Sequence, residues 1–359
     1  MKLLMKTDYR EDLQIFEKKR SWIYCGLFLL GLIFFPVVSG RYITSIANLA
    51  GIYIIVALGL NLLTGCTGQI SLGHAAFLAI GAYSSSFLTA KLSFPFLVAL
   101  PMAGVVTTFV GMVVAIPALR LTGLYLAIAT MAFSFIIDEV IIRWKYITNG
   151  ANGLFVPKAQ IGPWILKGDL GLFYLILLIV IGMVILTKNI LRGPLGRALI
   201  AIRDSEIASQ SMGISLAKYK TIAFGISAFY TGIAGSLFAH YMSFIGPENF
   251  TLMDSILYLV MIIVGGMGSV IGSIFGAIFV TFLTEVIRIA KDLFPYWPKL
   301  LNSMQPILYG AVIIVFIHFE PQGLYGRWLK VKYHWENMPM VKKDTFKREM
   351  KFYRSEKKR

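Results

Sequence analysis

Only two of the 359 residues are cysteine, Cys25 inside an apolar run and Cys66 in a glycine-rich turn, so neither a disulfide framework nor a thiolate metal site is expected. Histidine is nearly as scarce, at four residues, and no His, Cys or carboxylate cluster has metal-ligand spacing. No nucleophile–base pair stands out, which argues against an enzyme. The pattern G-x-x-x-x-G-K-S/T is missing, so nothing cradles nucleotide phosphates in that way. Charged residues make up 14% of the chain, and acidic ones are outnumbered 18 to 34. No polar stretch is large enough for a separate soluble domain. The largest are the opening twenty residues, a central interval and the last forty. The first apolar run follows twenty polar residues with no convincing small-x-small site after it, so a signal peptide is not expected.

What remains is apolar. Hydrophobic residues are 57% of the chain and the mean hydropathy is +0.73, against about 45–50% apolar in a soluble domain. Runs of about 20 apolar residues, each enough to cross a bilayer as a helix, recur throughout. The fold class expected is an all-α polytopic membrane protein of about ten transmembrane helices. The spans read as 22–38, 42–63, 72–90, 94–117, 121–142, 170–187, 221–243, 255–266, 270–289 and 304–320. Three regions follow from them: a cytoplasmic segment 1–21, a transmembrane domain 22–326 with a central loop 188–220, and a basic tail 327–359. Tyr9, Leu13 and Phe16 mark the first as an interfacial helix.

The net charge of +16 fits the positive-inside rule. With the N-terminus inside, 25 of the 34 basic residues fall on inner segments; without the tail the balance is thirteen to nine. Both termini are therefore expected in the cytoplasm. The tail, with Trp328, Tyr333 and Trp335 early in it, reads by default as a solvated positive-inside segment; attraction to anionic membrane lipids, at about 1 kcal/mol per basic residue, is the functional alternative. No fold signature supports a nucleic-acid partner.

The central interval KNILRGPLGRALIAIRDSEIASQSMGISLAKYK carries Lys188, Arg192, Arg197, Arg203, Lys218 and Lys220. Pro194 suits a helix start, and Leu195, Leu199 and Ile202 form one stripe of a short helix. Asp204 or Ser205 caps a second short helix, and Gly213 ends it in a left-handed turn. Two short amphipathic helices lying against the membrane are expected, either a docking knob gripped by another protein or a plain surface feature.

Glycine interrupts two spans, at Gly65, Gly68, Gly73 with His74, and at Gly265, Gly266, Gly268, Gly272 and Gly276. Breaks in corresponding places point to a transporter's path; glycine spaced for close helix packing is the competing reading. His74 reads as a neutral group satisfying freed backbone groups rather than a relay or ligand. Asp138 and Glu139 read as reaching interfacial water or pairing with Arg143, and Glu285 with Arg288 as an i,i+3 pair. Thr148–Gly153 reads as a turn cluster in the long external segment 143–169, a docking surface or a solvated loop.

TGCTGQISLGHAAFLAIGAY (64–83), RLTGLYLAIATMAF (120–133), ITNGANGL (147–154), RGPLGRALIAIRDSEIASQSMGISLAKYKTIAF (192–224), IVGGMGSVIG (263–272) and EPQGLYG (320–326) resemble the permeases of branched-chain amino acid ABC importers. The likeness is closest to the longer, LivM-type permease subunit and spans about residues 45–326 in order. It implies a bacterial inner-membrane subunit that pairs with a second, related permease. The pair would sit on two cytoplasmic ATPase subunits, which bind the ATP, and receive substrate from an extracytoplasmic substrate-binding protein. No cofactor is then expected in this chain. The resemblance places ATPase coupling at Glu206, Ala208 and Gly213, with Arg203 beside them. It departs from the general importer loop at Ile207, which replaces a small residue, and in a glycine one position further on. Leucine, isoleucine and valine are the expected cargo; urea, amides or aromatic acids are the alternative within the family. A solitary ion-coupled transporter is the alternative outside it, and no well-placed mid-membrane charge supports that.

Overall fold

The computed structural model describes residues 19–161, 164–165, 168–293, 298–320 and 322–337. The helices are α1 (Lys19–Val38), α2 (Arg41–Leu60), α3 (His74–Ala90), α4 (Phe96–Ala118), α5 (Leu124–Arg143), α6 (Lys145–Thr148), α7 (Gly168–Arg192), α8 (Pro194–Asp204), α9 (Glu206–Ser211), α10 (Leu216–Met242), α11 (Leu252–Gly265), α12 (Val270–Leu293), α13 (Pro298–Phe319) and α14 (Gly323–Asn337). Seven of these segments are long and apolar enough to cross a membrane, and three further helices, α1, α3 and α13, occupy the remaining expected positions. Among the described residues, strands are confined to four two-residue pieces: β1 (Leu154–Phe155), β2 (Gln160–Ile161), β3 (Trp164–Ile165) and β4 (Phe244–Ile245). The interfacial helix expected in 1–21 lies outside the described residues, apart from the first turn of α1.

Several edges differ from the sequence expectation by three residues or more, and three of them illustrate why. Helix α10 begins at Leu216 rather than 221, because Lys220 is buried and belongs to the helix. Helix α7 runs on to Arg192, which shortens the central loop. Helix α11 gains a turn at its start, where Thr251 and Asp254 form a reciprocal cap and the Thr251 amide donates to Asp254 Oδ2 at 2.8 Å. In addition, α14 continues unbroken across residue 327, where the tail was expected to begin.

Helices α2 and α10 form the centre and are the most buried, whereas α4, α5 and α7 keep most of their surface outward. Between lipid-solvated helices no hydrophobic force drives association, so packing and interhelical hydrogen bonds must do it. The α3–α10 seam shows both. A Cβ at Gly81 would overlap the Gly232 backbone, and one at Gly235 would overlap the Leu78 carbonyl. Hydroxyls bridge the same seam, with Ser85 Oγ 2.7 Å from Ser236 Oγ. Tyr230 Oη meets Thr187 Oγ1 at 2.9 Å, adding α7 to the bundle.

Two ends can be told apart. At one, Tyr241 near the end of α10 bonds Ser45 near the start of α2, and β1 pairs antiparallel with β4 through Leu154↔Ile245. The Thr148–Gly153 cluster is there, a turn closed by Asn149 Nδ2 donating to the Gly153 carbonyl at 2.9 Å. Arg143 pairs with Glu139, as expected, and Arg288 with Glu285 at 2.6 Å. At the opposite end sit α8, α9 and both glycine breaks. Helices α2 and α11 therefore run in the same direction into their breaks.

A Cβ at Gly276 would penetrate the Met261 carbonyl of α11, whereas one at Gly310 meets nothing within 4 Å. Gly276→Val is expected to destabilise the folded protein by about 1–3 kcal/mol through overpacking. Gly310→Ala should leave stability unchanged or slightly raised; thermal unfolding in detergent measures both.

Candidate functional site

The site is built from the α8–α9 loop upward. Pro194 opens α8 in the first turn, and Leu199 and Ile202 are buried on its stripe. Leu199 joins a buried cluster with Leu63, Phe77 and Phe224, with Leu195 packed alongside. The stripe expected to lie on the membrane thus inserts into the helix bundle, which fixes α8 to the transmembrane core. Ser205 is extended and its Oγ accepts from the Ala208 amide at 3.2 Å, so Ser205 rather than Asp204 caps α9. Gly213 at φ +85° ends it, with the Ile214 amide donating to the Ser209 carbonyl at 3.0 Å.

Between cap and terminator lies an exposed knob. Ile207 and Met212 are each 84% exposed, Ala208 is exposed, and nothing approaches Gly213 within 4 Å. Glu206 instead faces inward and meets Lys220 Nζ at 2.7 Å. Lys220 is buried while Glu206 keeps over a third of its side chain exposed. A buried ammonium persists only with such a partner. The pair ties α9 to the root of α10.

Arg203, last but one in α8, reaches the other way. Its Nη1 donates to the Gly65 carbonyl at 3.1 Å, while Nε and Nη2 hold Asp204 Oδ1 at 3.2 and 3.1 Å. Gly65 closes a single π turn, Asn61–Gly65, at the end of α2. Such turns leave backbone groups to be satisfied by other means. Here Thr64 Oγ1 donates to the Gln69 carbonyl at 3.0 Å and Thr67 Oγ1 to the Leu62 carbonyl at 2.9 Å.

Asn61 joins this break to the second one. Its Oδ1 accepts from the Gly268 amide at 2.7 Å and its Nδ2 donates to the Ser269 carbonyl at 3.1 Å. The glycines divide by role. Gly68, Gly266 and Gly268 have φ of +75°, +116° and +82°, conformations that L side chains rarely adopt. Gly65, Gly73 and Gly265 have ordinary φ and serve close approach: a Cβ would strike Asn61 Oδ1, the Thr130 carbonyl and the Gly272 carbonyl respectively. The glycines of the breaks thus serve two structural ends at different positions, turn formation and close packing. Gln322 and the start of α14 back the second break, since a Cβ at Gly266 would stand 2.7 Å from the Gln322 carbonyl and one at Gly323 would stand 2.6 Å from the Gly266 amide nitrogen.

Of the residues singled out from the sequence, Gly65, Gly68, Gly268 and Arg203 converge on one junction. Glu206, Ala208 and Gly213 stand on the knob beyond it. His74 is fully buried, its Nδ1 3.1 Å from Ser71 Oγ and its Nε2 2.8 Å from Ser227 Oγ, so it bonds hydroxyls rather than backbone groups. Cys66, one residue past the π turn, is 1% exposed; burial pushes its thiol up to about 11, against a smaller downward pull from Arg203. Asn61, Ser269 and the buried character of Lys220 escaped the sequence reading. A lone Asn inside the apolar run IVALGLNLLTG was the available signal.

Glu206→Gln strands the Lys220 charge and is expected to cost about 2–4 kcal/mol, the low end reflecting the exposure of Glu206. Adding Lys220→Met should recover most of that loss. Thermal unfolding of the two single variants and the double variant tests this coupling.

Residues 42–317 match the family described as "Branched-chain amino acid transport system / permease component". The chain is 35% identical to the high-affinity branched-chain amino acid transport system permease protein LivM of Escherichia coli K12, with 83% of this chain and 74% of that protein covered. A probable LivM permease of Methanocaldococcus jannaschii is 22% identical over 76% of this chain and 90% of its own length. The LivH permease of Escherichia coli K12 is 23% identical over 78% and 93%. No solved structure matches. The chain belongs to the permease family of branched-chain amino acid ABC transport systems, as a multi-pass membrane subunit that is not itself catalytic.

Proposed function

We propose that this chain is the LivM-type permease of an ATP-driven importer that carries leucine, isoleucine and valine across a bacterial inner membrane. A second permease of the LivH type would complete the path; the LivM and LivH relatives from Escherichia coli K12 are both described as permease proteins of a high-affinity branched-chain amino acid transport system. Two ATPase subunits would dock on the α8–α9 knob, and a soluble binding protein would deliver substrate at the opposite end, where β1, β4 and the 148–153 turn lie. The knob then faces the cytoplasm, and both termini with it.

The observation that carries this reading is the knob itself. It exposes Ile207 and Met212 at a tight capped turn, while the rest of α8–α9 is fastened to the bundle by Leu199, Arg203 and the Glu206–Lys220 pair. Exposed apolar side chains on an otherwise anchored polar loop suit a partner's groove. A part held rigidly to the core transmits a push. ATP binding in the partner acts on the path only if it changes the relative energy of the permease's states, and an anchored lever provides that difference.

Gly213→Val places a β-branched residue at positive φ, a strain of about 1–3 kcal/mol at the knob. Labelled-leucine uptake by cells is expected to fall at least about tenfold while the chain still inserts; undiminished uptake contradicts the coupling role. Ile207→Asp should lose the ATPase subunits on co-purification. Unlabelled isoleucine and valine should compete with leucine uptake, and urea should not.

A further inference from the structure

Arg203 does not contribute to the exposed knob. Its long side chain turns back under α8 and enters a space bordered by both helix breaks. A Cβ at Gly68 would stand 3.3 Å from Arg203 Cγ, and one at Gly268 would stand 3.2 Å from Nη1. Asp204 Oδ1 holds Nε and Nη2, which aims the remaining Nη1 at the Gly65 carbonyl. Asn61 grips Gly268 and Ser269 from the opposite side of the same turn. Three segments far apart in sequence, 61–68, 203 and 268–269, are thus tied by three side-chain hydrogen bonds to one another, and two more hold Arg203 to Asp204.

We infer that Arg203 is a positioning residue that keeps the junction of the two helix breaks closed while α8 is seated, and releases it when α8 is drawn away. The inference deepens the importer reading and rests on it only for the source of the pull. Its physical basis is that Arg203 is the side chain of the loop that touches both breaks. A movement of α8 therefore changes the bond to Gly65 and the crowding at Gly268 together. Arg supplies a donor whose bond to a carbonyl is charge-assisted and directional. Gln69 shows that the closed arrangement is not ideal for every residue it contains. Its side chain is 4% exposed, yet neither amide atom has a protein partner among the described residues. An unpaired buried amide raises the energy of the state that contains it, so the junction is poised for opening.

Cys66 adjoins Gly65 and is buried in this closed state, which makes its thiol a reporter. With Cys25→Ser as background, Cys66 is the chain's only thiol. The experiment measures maleimide labelling of this chain by mass, in the assembled transporter, with and without ATP. Labelling of a buried thiol follows the local opening equilibrium. Loss of a charge-assisted bond is expected to raise nucleotide-free labelling about tenfold in Arg203→Gln, and leucine uptake is expected to fall while ATP hydrolysis continues. Arg203→Lys, which retains one donor, should lie between the two, and it carries the same test if Arg203→Gln does not assemble. Labelling of both variants within twofold of the parent overturns the inference, as does parental uptake with raised labelling. Failure of the parent to co-purify an ATPase would sink the importer reading alone. The labelling contrast between parent and Arg203→Gln in the isolated chain would then still decide whether the junction is held by Arg203.

Discussion

The junction beneath α8 rests on two side chains that satisfy backbone groups where helices stop. Within a bilayer, irregular backbone is tolerated only when buried in protein with its polar groups paired. Asn61 and Arg203 meet that requirement for both breaks at once, one from the π turn that ends α2 and the other from the loop. The hydroxyls of Thr64 and Thr67 close the remaining turns locally. Because the same bonds that stabilise the breaks also reach α8, stability and mechanics share one set of contacts.

Around that junction the bundle is assembled with small residues and sparse hydroxyl bridges rather than with large apolar contacts. Glycine at 81, 232, 235 and 276 brings backbones together, which maximises dispersion contacts where lipid offers no hydrophobic gain. The Glu206–Lys220 pair works differently. Burying an ammonium is costly, and the carboxylate that offsets the cost comes from the loop. The root of α10, the most buried helix, is thereby made dependent on α9 being in place.

Membrane character, span positions, the two short helices with their cap and terminator, and the glycine breaks were all legible in the sequence. Hydropathy, capping chemistry and φ requirements act over a few residues, so they leave local marks. Span edges were less legible, since charge was taken to end a helix and Lys220 is charged yet buried. The α8 stripe was rightly read as apolar, but its burial in the bundle rather than on lipid was not, because an apolar stripe is the same on either surface. The division of the glycines into turn formers and close-packing sites was equally hidden, since both uses demand the same residue.

By itself the sequence determined the family and the fold class: ordered motifs from 64 to 326 and repeated apolar runs leave no other solvent than a bilayer for most of the chain. Only the tertiary structure decided which polar residues meet. Asn61 with Gly268, Arg203 with Gly65 and Glu206 with Lys220 are separated by 207, 138 and 14 residues respectively. No local propensity records such pairs, because each partner answers a vacancy created by a distant segment: a freed carbonyl, a freed amide or a buried charge.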